Sequence, residues 1–293
     1  MVKQQILSAF YGINNIQIEV TDKIKNNTFL KVTNALVGYD PMPNYVKKLK
    51  VIYYDGADIK EKIFNENEIF FLGSTYKKLG IFYTNNKINK KIINSSLKSI
   101  EIAAENKAEI IYCGWEDISD FNFTKIICDN RQWGHFNICY QILKALYLTK
   151  KCSFEDVYFL EHDVLYPPDY FDGPKITKIE CNMNYIGMNQ KGYQPLNQKD
   201  QPLHELSMDF QFALKHFEKT LLNFMEGTGF HIEPQCHEEY VNRYTSIPSI
   251  HMNQSIVTTS HYNIYGKADK TYIDYWGDFT KHYPPEEFTH GQV

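Results

Sequence analysis

The sequence predicts an α/β domain with a mixed sheet flanked by helices, preceded by a small all-β domain, and three observations carry that expectation. Residues 1–73 hold short alternating or β-branched stretches and no convincing helical period, whereas from residue 74 apolar strands alternate with amphipathic helical stretches. The order strand, loop, helix, strand over residues 79–113 favours parallel pairing through a right-handed crossover. An apolar run at 157–160 stops abruptly at Glu161-His162-Asp163, resumes at 164–166 and is ended by Pro167-Pro168. Three adjacent ionisable groups at the end of a buried strand are costly unless something pairs with them. A divalent cation is one such partner, a polar turn facing water is the plain alternative, and strand ends in open α/β sheets are where ligands bind.

Composition sets bounds on function. The chain has 293 residues, 43% of them hydrophobic, enough for a packed core in one large domain or two smaller ones. Its 22 Tyr and 19 Phe suit stacking on sugars or bases, and equally suit a core. A formal net charge of -4 argues against a generally basic nucleic-acid binder. The six cysteines form no CxxC pair, no secretory leader is recognisable at the N-terminus, and no apolar run approaches a membrane span of ~20 residues. The expectation is a cytosolic protein with reduced thiols, in the host cytoplasm if the protein is viral.

In chain order, residues 16–21 alternate as a half-buried strand, 29–32 and 49–54 follow as strands, Asp55-Gly56 makes a turn, and 60–64 and 68–72 complete the first domain. In the second domain, 79–83 is a buried strand with Thr84-Asn85-Asn86 as its C-terminal loop. Residues 89–106 form a helix with Ile92, Ile93, Leu97, Ile100, Ala103 and Ala104 at helical spacing, and 109–113 is the next strand. Residues 133–149 form a second helix, 181–187 a short strand and 187–204 a long loop of the kind that serves as a lid or stays disordered. Residues 206–225 read as a helix capped by Ser207, with Phe210, Leu214, Phe217, Leu221 and Phe224 on one face.

Two resemblances add to this reading. Ala9-Phe-Tyr11-Gly12, Val20-Thr21-Asp22, Gly38-Tyr39-Asp40-Pro41 and residues 48–53 resemble a β domain found at the C-terminal end of a DnaJ homologue and appended to other viral and bacterial proteins. It implies a binding or packing accessory at 1–73 and carries over no catalytic residue. Residues 81–86, 141–146 and above all Phe159-Leu-Glu-His-Asp-Val-Leu-Tyr-Pro-Pro-Asp-Tyr-Phe171 resemble glycosyltransferases with a GT-A-type nucleotide-sugar domain, a group seen in phages, giant viruses and bacteria. This likeness covers most of residues 77–260 and implies that 74–293 is a GT-A-like nucleotide-sugar-binding domain. It implies hexosyl transfer from a nucleotide-sugar, a UDP-sugar first among donors, to a hydroxyl on a glycan, a protein or a modified DNA base.

The resemblance implies a divalent-metal site, Mn²⁺ or Mg²⁺, at the family's Asp-x-Asp motif, where Glu161 stands in place of the first Asp. A cation held by carboxylates neutralises the developing charge on a departing nucleoside diphosphate. Asp163 is the expected direct ligand, Glu161 a ligand or a contact to ribose or bound water, and His162 a ligand or a residue pointing away from its neighbours. A late His completes such sites, and His251 is the positional match, with His261 second. Nucleotide contacts fall on Tyr83, Thr84 and Asn85, or else Tyr83 is core and Asn85 a cap. Arg131 either reads the diphosphate bidentately or makes a surface ion pair. Glu205 and Asp209 are the candidate general bases for the acceptor hydroxyl, or first-turn residues that complement a helix dipole. Glu233 lines the site by resemblance. The rival expectations are a non-catalytic carbohydrate- or nucleotide-binding protein on the same scaffold, and a nucleotidyltransferase.

Overall fold

The structure, a computed structural model, describes residues 5–14, 16–25, 29–55, 58–71, 77–86, 89–118, 120–121, 123–128, 134–189, 192–194, 202–229, 231–234, 240–252, 272–278 and 281–282. The chain forms two compact units, Met1–Lys77 with Leu148–Ser153, and Lys78–Tyr147 with Phe154–Val293.

In the first unit, β1 (Gln5–Ile13), β2 (Ile16–Glu19), the one-turn helix α1 (Thr21–Ile24), β3 (Phe29–Lys31), β4 (Lys48–Asp55), β5 (Asp58–Asn65) and β6 (Ile69–Phe71) follow in order. A 4-stranded antiparallel sheet runs β2-β1-β4-β5, and β3 pairs with β6. Ala9 lies opposite Val51 and Tyr11 opposite Leu49, so alternate residues of both strands bury one face. Two differences from the sequence reading stand out. β1 was not expected as a strand, and 16–21 is not one continuous strand. The chain turns helical after Glu19 because the Val20 carbonyl accepts the Lys23 and Ile24 amides, while Thr21 Oγ1 accepts the Ala9 amide at 2.9 Å. Asp40 is engaged within the unit: its Oδ1 accepts the Met42 amide at 3.0 Å and pairs with the buried Lys47 Nζ at 2.8 Å.

The second unit comprises β7 (Lys78–Tyr83), α2 (Lys90–Ala104), β8 (Ala108–Gly114), β9 (Thr124–Ile127), α3 (His135–Thr149), β10 (Asp156–Glu161), β11 (Val164–Leu165), β12 (Ile179–Asn182), β13 (Tyr185–Asn189), β14 (Gly192–Gln194), β15 (Leu206–Asp209), α4 (Phe210–Met225), β16 (Val241–Arg243), β17 (Ser249–Met252), β18 (Tyr272–Ile273) and β19 (Gly277–Asp278). The last turn of α3 belongs with the first unit. A 7-stranded mixed sheet runs β16-β12-β15-β10-β7-β8-β9, in which β10, β7, β8 and β9 are parallel and β15 is antiparallel to both its neighbours. A smaller sheet runs β11-β17-β13-β14. The expected α/β architecture, a mixed sheet with helices plus a small β unit, is what the structure shows.

Chain order in the large sheet goes outward from β7 through β8 to β9, then returns to β10 on the other side of β7. The gap between the C-terminal ends of β7 and β10 is therefore the topological switch point, the place where open α/β sheets form a ligand crevice.

Three expected elements are corrected. Residues 206–209 are a strand, held between β10 and β12 with Met208 opposite both Val157 and Ile179. Helix α4 begins only at Phe210, and its cap is Asp209, not Ser207. The stretch 181–187 divides between β12 and β13, which belong to different sheets, and the following segment starts as a hairpin in which Met188 faces Tyr193. The described cysteines, Cys113, Cys128, Cys139, Cys152 and Cys181, are free thiols. Among the described residues no helix is long and apolar enough to cross a membrane.

Candidate functional site

Serines on α2 build the turn at the end of β10. Ser96 is fully buried, and its Oγ lies 2.7 Å from Val164 O and 3.1 Å from Glu161 O. Ser99 Oγ donates to Ser96 O and accepts the Tyr166 amide. The Tyr166 hydroxyl in turn accepts the Glu161 amide at 2.7 Å. The backbone of Glu161 is thus fixed from both sides, and its side chain is delivered to the C-terminal edge of β10. Just beyond, β11 pairs with β17 so that Val164 faces His251, and Asp163 O accepts the Met252 amide. On the opposite flank, β15 runs antiparallel to β10, which brings the residues preceding it, His204 and Glu205, to the same edge.

These elements assemble a line of four ionisable side chains. Glu161 Oε2 lies 2.6 Å from His204 Nδ1; His204 Nε2 lies 3.0 Å from His251 Nδ1 and 2.9 Å from His251 Nε2; His251 Nε2 lies 2.9 Å from Glu205 Oε1. The other Glu205 oxygen accepts from Asn182 Nδ2 at 2.8 Å and lies 3.3 Å from Ser249 Oγ. The Tyr185 ring stacks on His251 at 5.1 Å with an interplanar angle of 10°. His204, Glu205 and His251 are all buried.

The electrostatics follow from this packing. Burial works against ionisation of Glu161, but the hydrogen bond from His204 and the charges of His204, His162 and His135 prevail and hold its carboxyl below the usual range. Burial likewise disfavours a charged His204, yet the Glu161 bond and the charges of Glu161, Glu205 and Asp163 raise it. His251 is driven well below its ordinary value by burial and then by the charge of His204. Burial pushes Glu205 up to about 7 against His204, Asn182 and Arg243. Along the line, Glu161 is thus biased toward its charged form, His204 toward its protonated form, His251 toward its neutral form and Glu205 toward its protonated form.

Other expected residues are placed as follows. Asp163 keeps part of its surface exposed, but its carboxyl is set deep enough that burial pushes it up to about 6. His162 is 9% exposed and its Nδ1 has no hydrogen-bond partner among the described residues. Tyr83 and Thr84 are both 2% exposed at the end of β7. Thr84 is engaged by its neighbours, its carbonyl by Gln141 Nε2 and its hydroxyl by the Asn86 amide. Asn86, at φ 57, accepts the Trp115 and Glu116 amides and donates to the Tyr112 hydroxyl, tying the loop after β7 to the loop after β8. Asn85 is partly exposed between them. Asp209 Oδ1 accepts the Gln211 and Phe212 amides, both at 3.0 Å. Glu233 is partly buried. Arg131 and His261 lie outside the described residues.

His204, which sequence reasoning passed over, is the centre of the line. Part of the signal was present: His204-Glu205 is an adjacent ionisable pair, like Glu161-His162-Asp163, but the segment after it reads as the start of a helix and hides the strand that places it. The donor set suits a divalent cation, since one ligand atom each from His204, Glu205 and His251 lies within 4.8 Å of the others.

No protein-family model matches the chain, and no curated protein sequence matches it. Solved structures similar to it include a glycosyltransferase involved in the glycosylation of the major capsid of PBCV-1, at 12% identity and TM-score 0.34, covering 59% of this chain and 92% of that one. The glycosyltransferase GlyE of Streptococcus pneumoniae TIGR4 is similar at 12% identity and TM-score 0.33, covering 58% of this chain and 45% of that one. The inositol-1-phosphate CTP transferase of T. maritima is similar at 9% identity and TM-score 0.33, covering 61% and 90%.

Proposed function

We propose that this protein transfers a glycosyl group, of hexose type, from a nucleotide-sugar to a hydroxyl acceptor at the C-terminal edge of β7 and β10, with help from a divalent cation. The observation that carries the reading is the placement of the Glu161–His204–His251–Glu205 line at the switch point of the sheet. A crevice at that position is where a nucleotide is received, and buried, paired ionisable groups there are the equipment of group transfer. The likeness of residues 159–171 to GT-A-type glycosyltransferases points to the same chemistry.

In this reading the partly exposed Asn85 and the backbone of the β7 loop meet the nucleotide, held in place by Asn86 and Gln141. Arg131 is proposed to contact the diphosphate. A bound Mn²⁺ or related cation would supply charge neutralisation to the departing diphosphate. Asp163, Glu161, His162 and His251 provide its surroundings. Of the two carboxylates considered for proton removal, Glu205 is tied into the buried line, whereas Asp209 caps α4. Glu205 is thus held beside His251. The small β unit is proposed as an accessory for packing or acceptor recognition, as its own resemblance implies.

The test is a thermal-shift screen of nucleotide-sugars with and without Mn²⁺, on wild type and Asp163→Ala. A donor at about 100 times its dissociation constant adds ~2.7 kcal/mol of stability. Stabilisation by one donor that needs both metal and Asp163 supports the transferase reading and names the base. A flat response to every donor overturns it in favour of a non-catalytic binding protein. Release of pyrophosphate with nucleotide joined to product, in place of sugar transfer, identifies a nucleotidyltransferase.

A further inference from the structure

We propose that His204, His251 and Glu205 are the direct ligands of a divalent transition-metal cation, and that Glu161, the residue standing in the strand-end carboxylate motif, orients His204 from behind instead of touching the metal. The inference deepens the site reading above and rests on it for the purpose of the cation, though not for its ligands.

Four features of the geometry support this assignment. The first is the closeness of the ligand atoms. His204 Nε2 is equally close to both ring nitrogens of His251, at 2.9 and 3.0 Å. An N–H aimed midway between two nitrogens follows neither lone pair, so a directed hydrogen bond accounts poorly for the approach. The rings meet edge to face, with centroids 4.0 Å apart and an interplanar angle of 74°, so His204 Nε2 lies over the His251 ring; what the three residues share is proximity, one ligand atom from each of His204, Glu205 and His251 lying within 4.8 Å of the others. The second is the back side of two of the ligands, His204 and Glu205. A metal-binding imidazole donates its second N–H to a carboxylate or carbonyl, which fixes tautomer and orientation. His204 Nδ1 meets Glu161 Oε2 at 2.6 Å. Glu205 Oε2 is occupied by Asn182 and Ser249, which leaves Oε1 facing His251.

The third feature is rigidity. His251 lies on a strand between β11 and β13 and is stacked under Tyr185; Glu205 is 0% exposed and directly precedes β15. The fourth is the donor chemistry. Two imidazoles with one carboxylate suit zinc, manganese, cobalt or iron, whereas magnesium prefers an all-oxygen, largely hydrated shell. The strand-end carboxylates Glu161 and Asp163 are left for other work: Glu161 positions His204, and Asp163 is outside the ligand set.

The experiment uses the full chain, stripped with a chelator and titrated with Co²⁺ while its visible absorption is followed, then challenged with Zn²⁺ and with Mg²⁺. The expected result is one equivalent of Co²⁺ with a ligand-field spectrum, displaced by Zn²⁺ and not by Mg²⁺. His204→Gln and Glu205→Gln lose the spectrum. Glu161→Gln retains it with affinity reduced about 10- to 100-fold. Glu205→Gln keeps the shape of the side chain and its contact to Ser249, so it carries the test if His204→Gln fails to fold. Uptake that survives both His204→Gln and Glu205→Gln but vanishes in Asp163→Asn overturns the proposal and puts the cation on the strand-end carboxylates. Absence of Co²⁺ uptake by the wild type also overturns it. A donor screen run alongside separates the two readings: donor binding without this metal site removes the ligand assignment alone, and metal uptake without any donor response supports the ligands and removes the transferase reading alone.

Discussion

Replacing Ser96 by Ala tests how the fold delivers Glu161 to the site. Ser96 is on the buried face of α2, and its hydroxyl lies between two carbonyl oxygens of the turn that follows β10, at 2.7 Å from Val164 O and 3.1 Å from Glu161 O. Removing a buried hydroxyl strands its partners, and such a loss costs ~1–3 kcal/mol. Alanine returns a few tenths of a kcal/mol through its better helix propensity. The net expectation is about 2 kcal/mol of destabilisation, or a fall in Tm of about 4–8 °C for a unit of this size. Ser95→Ala, one residue away and partly exposed, carries the same propensity change without the turn contact. It should melt at or slightly above the wild-type temperature. The assay is a pair of thermal melts with and without saturating Co²⁺. The Glu161 carbonyl and the carboxylate that holds His204 belong to one residue, so the metal-induced gain in Tm should shrink in Ser96→Ala and not in Ser95→Ala. If the two variants melt together and respond equally to metal, the claim that α2 fixes the site through this serine is refuted.

Gly80→Ala should destabilise the second unit by ~1–3 kcal/mol through overpacking. A Cβ there would sit 2.5 Å from Ile110 Cδ1 and 2.9 Å from Leu160 Cδ1, and the loss should be partly recovered by pairing it with Ile110→Val in chemical or thermal melts. Asp209→Ala should cost ~1 kcal/mol as a lost helix cap, while Asp209→Asn keeps most of it; turnover that collapses in Asp209→Asn at unchanged Tm would instead reinstate Asp209 as the general base. Burial raises the Asp156 carboxyl to about 6, against the Ile176 amide and Lys78 and with Glu155 and Glu180 adding to it. An acid raised on folding holds its proton longer in the folded state, so stability falls as pH rises from about 4 to about 6. Asp156→Asn should flatten that part of the stability profile, and an unchanged slope in urea titrations across that window would contradict the assignment.

The sequence made the parallel half of the sheet legible because its strands are continuous apolar runs with a helical period between them. Residues 79–83, 109–113 and 157–160 lie in β7, β8 and β10, and the 92–104 spacing corresponds to the buried face of α2. It failed where tertiary pairing overrode local pattern. Leu206-Ser207-Met208-Asp209 continues directly into an amphipathic helix, so its apolar residues read as the first turn; only the strands on both sides, β10 and β12, make it a strand. The stretch at 181–187 read as one strand because nothing local marks the point at which it leaves one sheet for another. The site was legible in part. Glu161, His251 and Glu205 were each picked out, on separate grounds and in separate roles. Their assembly was not visible, because His204 joins them and its partners are 43 and 47 residues away in sequence.

The energetics of that assembly bear on its purpose. Four ionisable side chains at one buried edge cost desolvation, and packed apolar residues of similar volume would often serve stability as well or better. The local structure offsets part of this cost with directed hydrogen bonds. Asn182 and Ser249 are buried polar residues spent on one oxygen of Glu205, and Ser96, Ser99 and Tyr166 are spent on the turn that carries Glu161. Supporting residues of this kind fix direction, not just neutrality: they determine which nitrogen of His204 and which oxygen of Glu205 face His251. A fold that needed only a filled core has no use for that selectivity. A site that must present a defined set of donor atoms to a cation beside the switch-point crevice does, which is why the ligand variants and the orienting variant Glu161→Gln are expected to separate in metal affinity, whatever they share in stability.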